Sequence, residues 1–591
     1  MITQSTFYFP LQNSNCQNSN CLYCDDSSGM NLSLLKKTDS QNNPQQELIP
    51  SSYSTIILKS VAQITSKTEV DTDNQSIITC TNIDAIQKAF FFQSCEESIA
   101  DSSMTQKYEI EDFPLGRFMR FLKHIKLKKL LKQITDLRDP KKTIHKIEIV
   151  LQWVLSVFFF RCQSTNALQT AFEKLPPHKR ATLWNYFELE EGKGKLPHRT
   201  VVTDCLSMIN PEEINDLLEK LFKWAIKNKI FYNHMGILLP DNKYYLACDG
   251  VWVHKYTTPH SKNEEGKNTC PYCLPRVHNK GKENEYTDWL HAFVNLVFVF
   301  PGGIQLPIYV YPLKAEQLPQ ESESLSDNKH KQECELQAVH TILPIIKKKF
   351  PRLSIKFLGD SLYANEPLIK LCETLKWDYL IVRQEGSLKN VAKQCDALEK
   401  TELYAKSCSK KKIVRLKNGG KIEQIIKWFN RVTVGKETFT NIIRFEETEY
   451  DADGKVTKNE KGDEKRFKTE WLGSVRVNKN NCFSLAKLGR MRADHEDLHN
   501  TLKNRGFAAK HDYARSNPNA CLIWKLAMFV AFWIFELFSF TKLAQESKGT
   551  GSWKALATEF LADIIKVPWE IMFFSPSLQQ KNIQFRFVFS P

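Results

Sequence analysis

A change of hydrophobic period near residue 243 constrains this chain more than any other feature. Before it, apolar residues recur at helical spacing; after it come three runs rich in Val, Phe, Tyr and Ile: "KYYLACDGVWVH" (243–254), "WLHAFVNLVFVF" (289–300) and "IQLPIYVYPL" (304–313). Pro301-Gly302-Gly303 between the last two is a hairpin signal. A helix then reads over "QECELQAVHTILPIIKKKF", with Pro344 expected to kink or break it. "LSIKFLGD" predicts a fourth strand, residues 364–375 a helix and "DYLIVRQE" a fifth strand. Three antiparallel strands followed by alternating helix and strand is an α/β order with one mixed sheet.

The rest of the chain arranges itself around that core. Residues 1–105, rich in Ser, Asn, Gln and Thr, predict a weakly structured region; its cluster Cys16, Cys21, Cys24 has too few thiols in too irregular a context for a good zinc site. Residues 106–240 predict a helical, DNA-binding domain. In it "RFMRFLKHIKLKKLLKQI" interleaves Arg117, Arg120, Lys123, Lys126, Lys128, Lys129 and Lys132 with an apolar stripe. Such a face is either merely solvated or contacts a phosphate backbone. "IEIVLQWVLSVFFF" predicts a core helix, and Thr203 or Asp204 and Asn210-Pro211 punctuate the helices that follow. The first part of the core is 241–385, with a Cys/His-containing excursion at 254–285. Residues 386–480 predict an all-β insertion with a charged hairpin loop, "DADGKVTKNEKGDEKR". Residues 481–545 return to the core and 546–591 form a C-terminal tail.

A formal net charge of +15 over 591 residues suits a polyanionic partner, nucleic acid ahead of a membrane surface. The 16 cysteines are scattered, which predicts free thiols in a reducing compartment, and the start "MITQSTFYFP" has no signal-peptide pattern. A cytoplasmic protein is expected. "CLIWKLAMFVAFWIFELFSF" (521–540) approaches the length of a membrane span, but Lys525 and Glu536 inside it and Pro518 at its start predict a buried helix and no membrane association.

Two aspartates end up at strand ends: Asp249 in the first strand and Asp360 in the fourth. An unpaired buried carboxylate is costly, so partners are expected, and a pair of Mg²⁺ or Mn²⁺ ions would supply them. The stretch "GRMRADHEDLHNTLKNRGF" offers Asp494, Glu496 and Asp497 as a third carboxylate. At about 100° per residue, Arg492, Glu496, His499 and Lys503 share one helix face, while Asp494 and Asp497 point elsewhere. That face joins a metal-binding carboxylate to two phosphate-binding cations, unless it is an ordinary surface ion pair.

In these residues the chain resembles the DDE-type transposases of bacterial insertion sequences, which share a ribonuclease-H-like core with retroviral integrases. The resemblance covers residues 110–545 and matches the Arg, Glu, Lys signature at Arg492, Glu496 and Lys503. Asp497 is the next choice should the alignment slip. The resemblance implies a ribonuclease-H-like mixed sheet flanked by helices, catalysis by Asp249, Asp360 and Glu496 holding two Mg²⁺, and phosphate binding by Arg492 and Lys503. It further implies double-stranded DNA partners, both inverted-repeat ends and target, and at least a homodimer. A catalytically decayed copy that only binds DNA is the alternative. One position departs: where related transposases often carry Tyr, three residues before the Arg, this chain has Gly489.

The excursion "TCPYCLPRVH" adds a C-x-x-C knuckle. Cys270, Cys273 and His278 form a structural Zn²⁺ half-site that His254, His260 or His291 could complete.

Overall fold

The computed structural model describes residues 112–588 apart from 177–179, 190–194, 234–235, 238, 240, 280, 315–326, 461, 510, 512, 515–516, 574 and 580–584. Cys16, Cys21 and Cys24 therefore lie outside the described residues.

The chain enters through helix α1 (Pro114–His124), opened by proline at its first turn. Phe118, Met119, Phe121 and Leu122 are buried, while Lys123 and His124 face solvent. The basic helix read from the sequence does not run on: Lys126 takes a left-handed backbone, and a second short helix, Leu127–Leu131, starts after it. Helix α2 (Ile147–Phe159) is buried on every side, as its uniform apolarity requires. Helix α3 (Arg199–Met208) carries Thr203 and Asp204 inside it, so neither ends a helix; the Thr203 hydroxyl donates back to the Arg199 carbonyl at 3.1 Å. Helix α4 (Pro211–Lys227) is capped by Asn210, whose side chain accepts from the Glu212 amide.

Strands β1 (Tyr244–Tyr256), β2 (Leu274–His278), β3 (Tyr286–Phe300) and β4 (Ile304–Pro312) are antiparallel neighbours. Gly302 and Gly303, both at positive φ, make the tight turn between β3 and β4. β3 lies between β1 on one side and β4 and β2 in succession on the other, and is buried without a break from Leu290 to Phe300. On the far side of β4, Asn215 of α4 accepts from the Val310 amide at 3.0 Å and donates to its carbonyl at 3.2 Å. The helical module thereby satisfies backbone groups that a sheet edge would leave open.

Helix α5 (Asp327–Lys349) carries the chain over and passes through Pro344 as one helix. β5 (Ile355–Gly359) then pairs parallel to β1, and after helix α6 (Glu366–Leu375) β6 (Asp378–Arg383) pairs parallel to β5. The run β4-β3-β1-β5-β6 therefore mixes an antiparallel half with a parallel one.

Residues 386–480 are not all β. Val391 and Cys395, four apart, bury one face of helix α7 (Lys389–Glu399), and a short helix, Glu402–Ser407, follows. Four strands come next, β7 (Ser409–Arg415), β8 (Lys421–Thr433), β9 (Phe439–Tyr450) and β10 (Arg466–Gly473), as an antiparallel meander. β10 pairs with β6, with Leu472 opposite Ile381, so the insertion extends the core sheet to ten strands. An ion-pair network holds this junction: Glu470 accepts two bonds from Arg383 (2.8 and 2.9 Å) and one from Arg444 (3.1 Å), and Arg444 reaches Glu399 and Asp396 on α7. Glu470→Ala leaves two guanidinium groups facing each other with no carboxylate between them. Its expected cost is about 3 kcal/mol, read as a lower denaturant midpoint at unchanged m-value; an unshifted midpoint would make the network ornamental.

Helices α8 (Cys482–Arg490) and α9 (Ala493–Asn504) follow almost end to end, and Gly506 at positive φ turns the chain out of α9. Helix α10 (Pro518–Ser539) is the long apolar segment. It is buried against α2, α3, α4 and β4 along nearly its whole length, as a core helix. Lys525 sits within it because its ammonium donates to the carbonyls of Ala509 and His511, 2.7 Å each. The C-terminal tail belongs to the helical module. Helix α11 (Trp553–Lys566) stacks Phe560 on Phe118 at 4.8 Å, and Asp112 binds Arg117, Ser575 and Ser577. Ten cysteines of the described residues, Cys248, Cys270 and Cys273 among them, are free thiols.

Candidate active site and metal centre

The register of β1 and β5 sets the geometry of the two aspartates. Ala247 pairs with Leu358, and two residues further along each chain stand Asp249 and Asp360. Side chains alternate with period two, so both carboxylates leave the sheet on the same face and at the same level of two adjoining strands. Tyr244–Cys248 and Ile355–Gly359 are buried, whereas both aspartates are half-buried just beyond those buried stretches; Asp360 follows the last residue of β5, but Asp249 is not at a strand end as expected, since β1 runs on to Tyr256. Asp249 Oδ1 accepts from the Gly250 amide at 2.9 Å. Asp360 Oδ1 accepts from the Leu362 amide at 2.9 Å, capping the single helical turn Ser361–Tyr363.

Two polar residues that the sequence reading passed over stand beside the pair. Asn295 lies directly opposite Asp249 on β3, fully buried, and neither atom of its amide has a hydrogen-bond partner. Glu335 of α5 is buried against Gly250, where an added Cβ would fall 2.0 Å from its Oε1. Burial first, then the negative charges of Asp249, Asp360 and Glu335, push the Cys248 thiol well above its usual range. One buried sulfur thus registers all three carboxylates. Both residues left a trace in the sequence: Asn295 interrupts an apolar run, and Glu335 precedes Ala338, Val339 and Ile342 on the apolar stripe of α5.

Helix α9 packs against β1, β3 and β4, so the strand carrying Asp249 is its direct neighbour. Arg492, at its N-cap, is half-buried, Lys503 is exposed, and the backbone of Glu496 lies between them on the helix. The side chain of Glu496 lies outside the described residues. Gly489 is filled from across the interface: a Cβ there would lie 2.5 Å from Trp471 Cε2.

His499, buried on this helix, has its pKa lowered to about 3, by burial first and then by Lys503. Below the ordinary value of 6.5 the unfolded chain takes up a proton that the folded one refuses. Stability present above pH 6.5 is therefore lost as pH falls toward 3. Relative to His499→Gln, the wild type should lose about 1.4 kcal/mol for each pH unit in that window. Parallel stability curves for the two proteins would show that the folded state does protonate.

The described residues converge tightly on a second group, the ligand atoms of His260, Cys270, Cys273 and His291, which lie within 4.8 Å of one another. Cys270 and Cys273 lie in this group, and of the three candidate histidines His260 and His291 lie beside them. His278 does not. Its place on β2 sets it opposite Tyr286, where the rings stack at 4.6 Å, and its Nε2 lies 2.6 Å from Asp288 Oδ2, beside Lys255. Strand pairing, not nearness in sequence, decides which histidine faces the thiols. The side chain of His254 lies outside the described residues.

No family model matches the chain, and no curated protein does. Among solved structures the chain is similar to a piggyBac transposase in a synaptic complex with hairpin DNA, at 10% identity and a TM-score of 0.32, over 79% of this chain and 83% of that one.

Proposed function

We propose that the chain is a DDE-type transposase that cuts and joins DNA at the inverted-repeat ends of its own mobile element. The observation that carries this reading is the meeting of Asp249 and Asp360 at one level of adjoining parallel strands. The strand order supports it: three antiparallel strands, then two parallel to the first on its open side, is the ribonuclease-H-like arrangement that the sequence resemblance implies. So does the chain order, in which an inserted meander precedes a helix packed against β1.

The donor set suits a hard divalent cation, since two carboxylates stand beside an amide, Asn295, that is buried without a partner. Asp249, Asp360 and Glu496 would hold two Mg²⁺ or Mn²⁺ ions. When bound, such ions lower the pKa of an attacking hydroxyl and stabilise the leaving oxygen. The chain's own residues do the remaining work. Asp360 is fixed by the Leu362 amide, so its carboxylate needs no reorientation when charge develops. Arg492 and Lys503 hold phosphates of the scissile strand, and the exposed Lys123, Lys126, Lys129 and Lys132 add sequence-independent affinity to double-stranded DNA. A homodimer pairs the two ends.

Purified protein incubated with DNA carrying the inverted repeats that flank its gene, with Mg²⁺ or Mn²⁺, should nick at the repeat ends. Binding to those ends without cleavage under either metal would replace catalysis with DNA binding alone.

A further inference from the structure

We propose that His260, Cys270, Cys273 and His291 form a closed structural zinc centre that staples the excursion after β1 onto β3. Two separate strand registers build it. The small hairpin 261–269 pairs the Thr269 amide with the Ser261 carbonyl at 3.0 Å and bridges Lys262 to Asn268, so one step outward His260 meets Cys270. β2 and β3 pair Leu274 with Leu290, so one step outward Cys273 meets His291. A tight turn, closed by the Cys273 amide on the Cys270 carbonyl at 3.3 Å, brings the two Cys–His pairs together.

All four ligand atoms lie within 4.8 Å of one another, and two of the separations match a metal tetrahedron closely. Ligands at normal zinc–sulfur and zinc–nitrogen lengths stand about 3.5 Å apart. His291 Nε2 lies 3.6 Å from Cys270 Sγ and 3.2 Å from Cys273 Sγ. The surroundings are built as well. Asn268 accepts from the Cys270 amide at 2.9 Å and donates to the Cys270 and Cys273 carbonyls at 3.2 Å each, fixing the knuckle. Tyr256 packs edge-on against both imidazoles, 4.2 and 5.4 Å between centroids. The two cysteines and His291 are buried.

Two thiolates and two imidazoles in a tetrahedron select zinc, and four protein ligands leave no position for substrate. The centre is therefore structural. It lies on the strand that carries Asn295, four residues away or roughly 14 Å, and it stands independently of the catalytic reading.

The full-length protein, purified from zinc-replete culture and dialysed, should hold one zinc ion per chain. Cobalt substitution should give the visible bands and thiolate charge transfer of a tetrahedral dithiolate site. Cys273→Ser and His260→Ala should each lose the ion, His278→Ala should retain it, and His260→Cys, which restores a ligand, should recover it if loss in His260→Ala reflects coordination. A Cys270–Cys273 disulfide by mass spectrometry, a metal-free protein with no cobalt bands, or loss of zinc from His278→Ala alongside its retention by His260→Ala would overturn the proposal.

Discussion

Asp360→Asn is expected to lower metal-dependent cleavage at the repeat ends by about a thousandfold or more, with DNA binding and melting temperature nearly unchanged. The substitution is selective because Asp360 has two separable jobs. Its Oδ1 caps the turn Ser361–Tyr363 through the Leu362 amide, and an asparagine oxygen caps as well. Its negative charge has no counterpart in that cap, and asparagine removes it. Asp249→Asn should match it in cleavage, since both carboxylates stand at the same level of neighbouring strands. A variant that cleaves at wild-type rate in either position would remove the aspartate pair from the chemistry. Asn295→Leu is the graded companion: it replaces a buried amide without partners by an apolar group, so a loss of cleavage without a loss of stability would give that amide a role beside Asp249.

Gly489→Tyr should destabilise the fold by about 4 kcal/mol, although tyrosine is the residue often found at that place in the transposases that the sequence resembles. Gly489 is the next-to-last residue of α8, still within the helix, where a side chain would ordinarily be welcome. Here the first added carbon would lie 2.5 Å from Trp471 Cε2 and 2.6 Å from its Nε1. The indole is buried on β10, between Val382 and Ile443 of the flanking strands, and cannot retreat without leaving the core. Inserting a ring therefore expels another, and the cost resembles that of truncating a buried tryptophan. A double-mutant cycle checks the cause: in a Trp471→Ala background the same tyrosine should cost at least about 2 kcal/mol less. Equal costs in both backgrounds would point to helix propagation and clear the indole.

The parts of this molecule that the sequence disclosed are those with local signatures. Asp360 was legible because it ends an apolar run and Asp249 because it interrupts one, and Gly302-Gly303 because a tight turn needs positive φ. The burial of α10 followed from Lys525 and Glu536, charges that hydrocarbon would reject. What stayed hidden depends on pairing between distant segments. The Cys270–Cys273 cluster is assembled by two registers, so it takes in His260 and His291, while the nearest histidine in sequence, His278, lies against Asp288. The break at Lys126 has neither glycine nor proline to announce it, and nothing in its surroundings explains the left-handed turn. Helix α7 lies inside the span read as a β insertion because only Val391 and Cys395 mark its apolar face. Asn295 and Glu335 were visible as polar intrusions into apolar patterns, but their significance required knowing what they face.

The meander β7–β10 is hydrogen-bonded to β6 and through it to β1, so the sheet is one girder of roughly 40 Å across at about 4.8 Å per strand. Such a girder tolerates growth at its outer end and resists excision from its middle. Trimming the insertion back to β6 would unzip Leu380–Arg383 from Gly473–Glu470 and leave a bare apolar selvedge ready to zip onto any passing strand. Variation in length among proteins built on this plan should therefore accumulate beyond β7 and in the 451–465 loop, while the seam at β6 keeps its stitch.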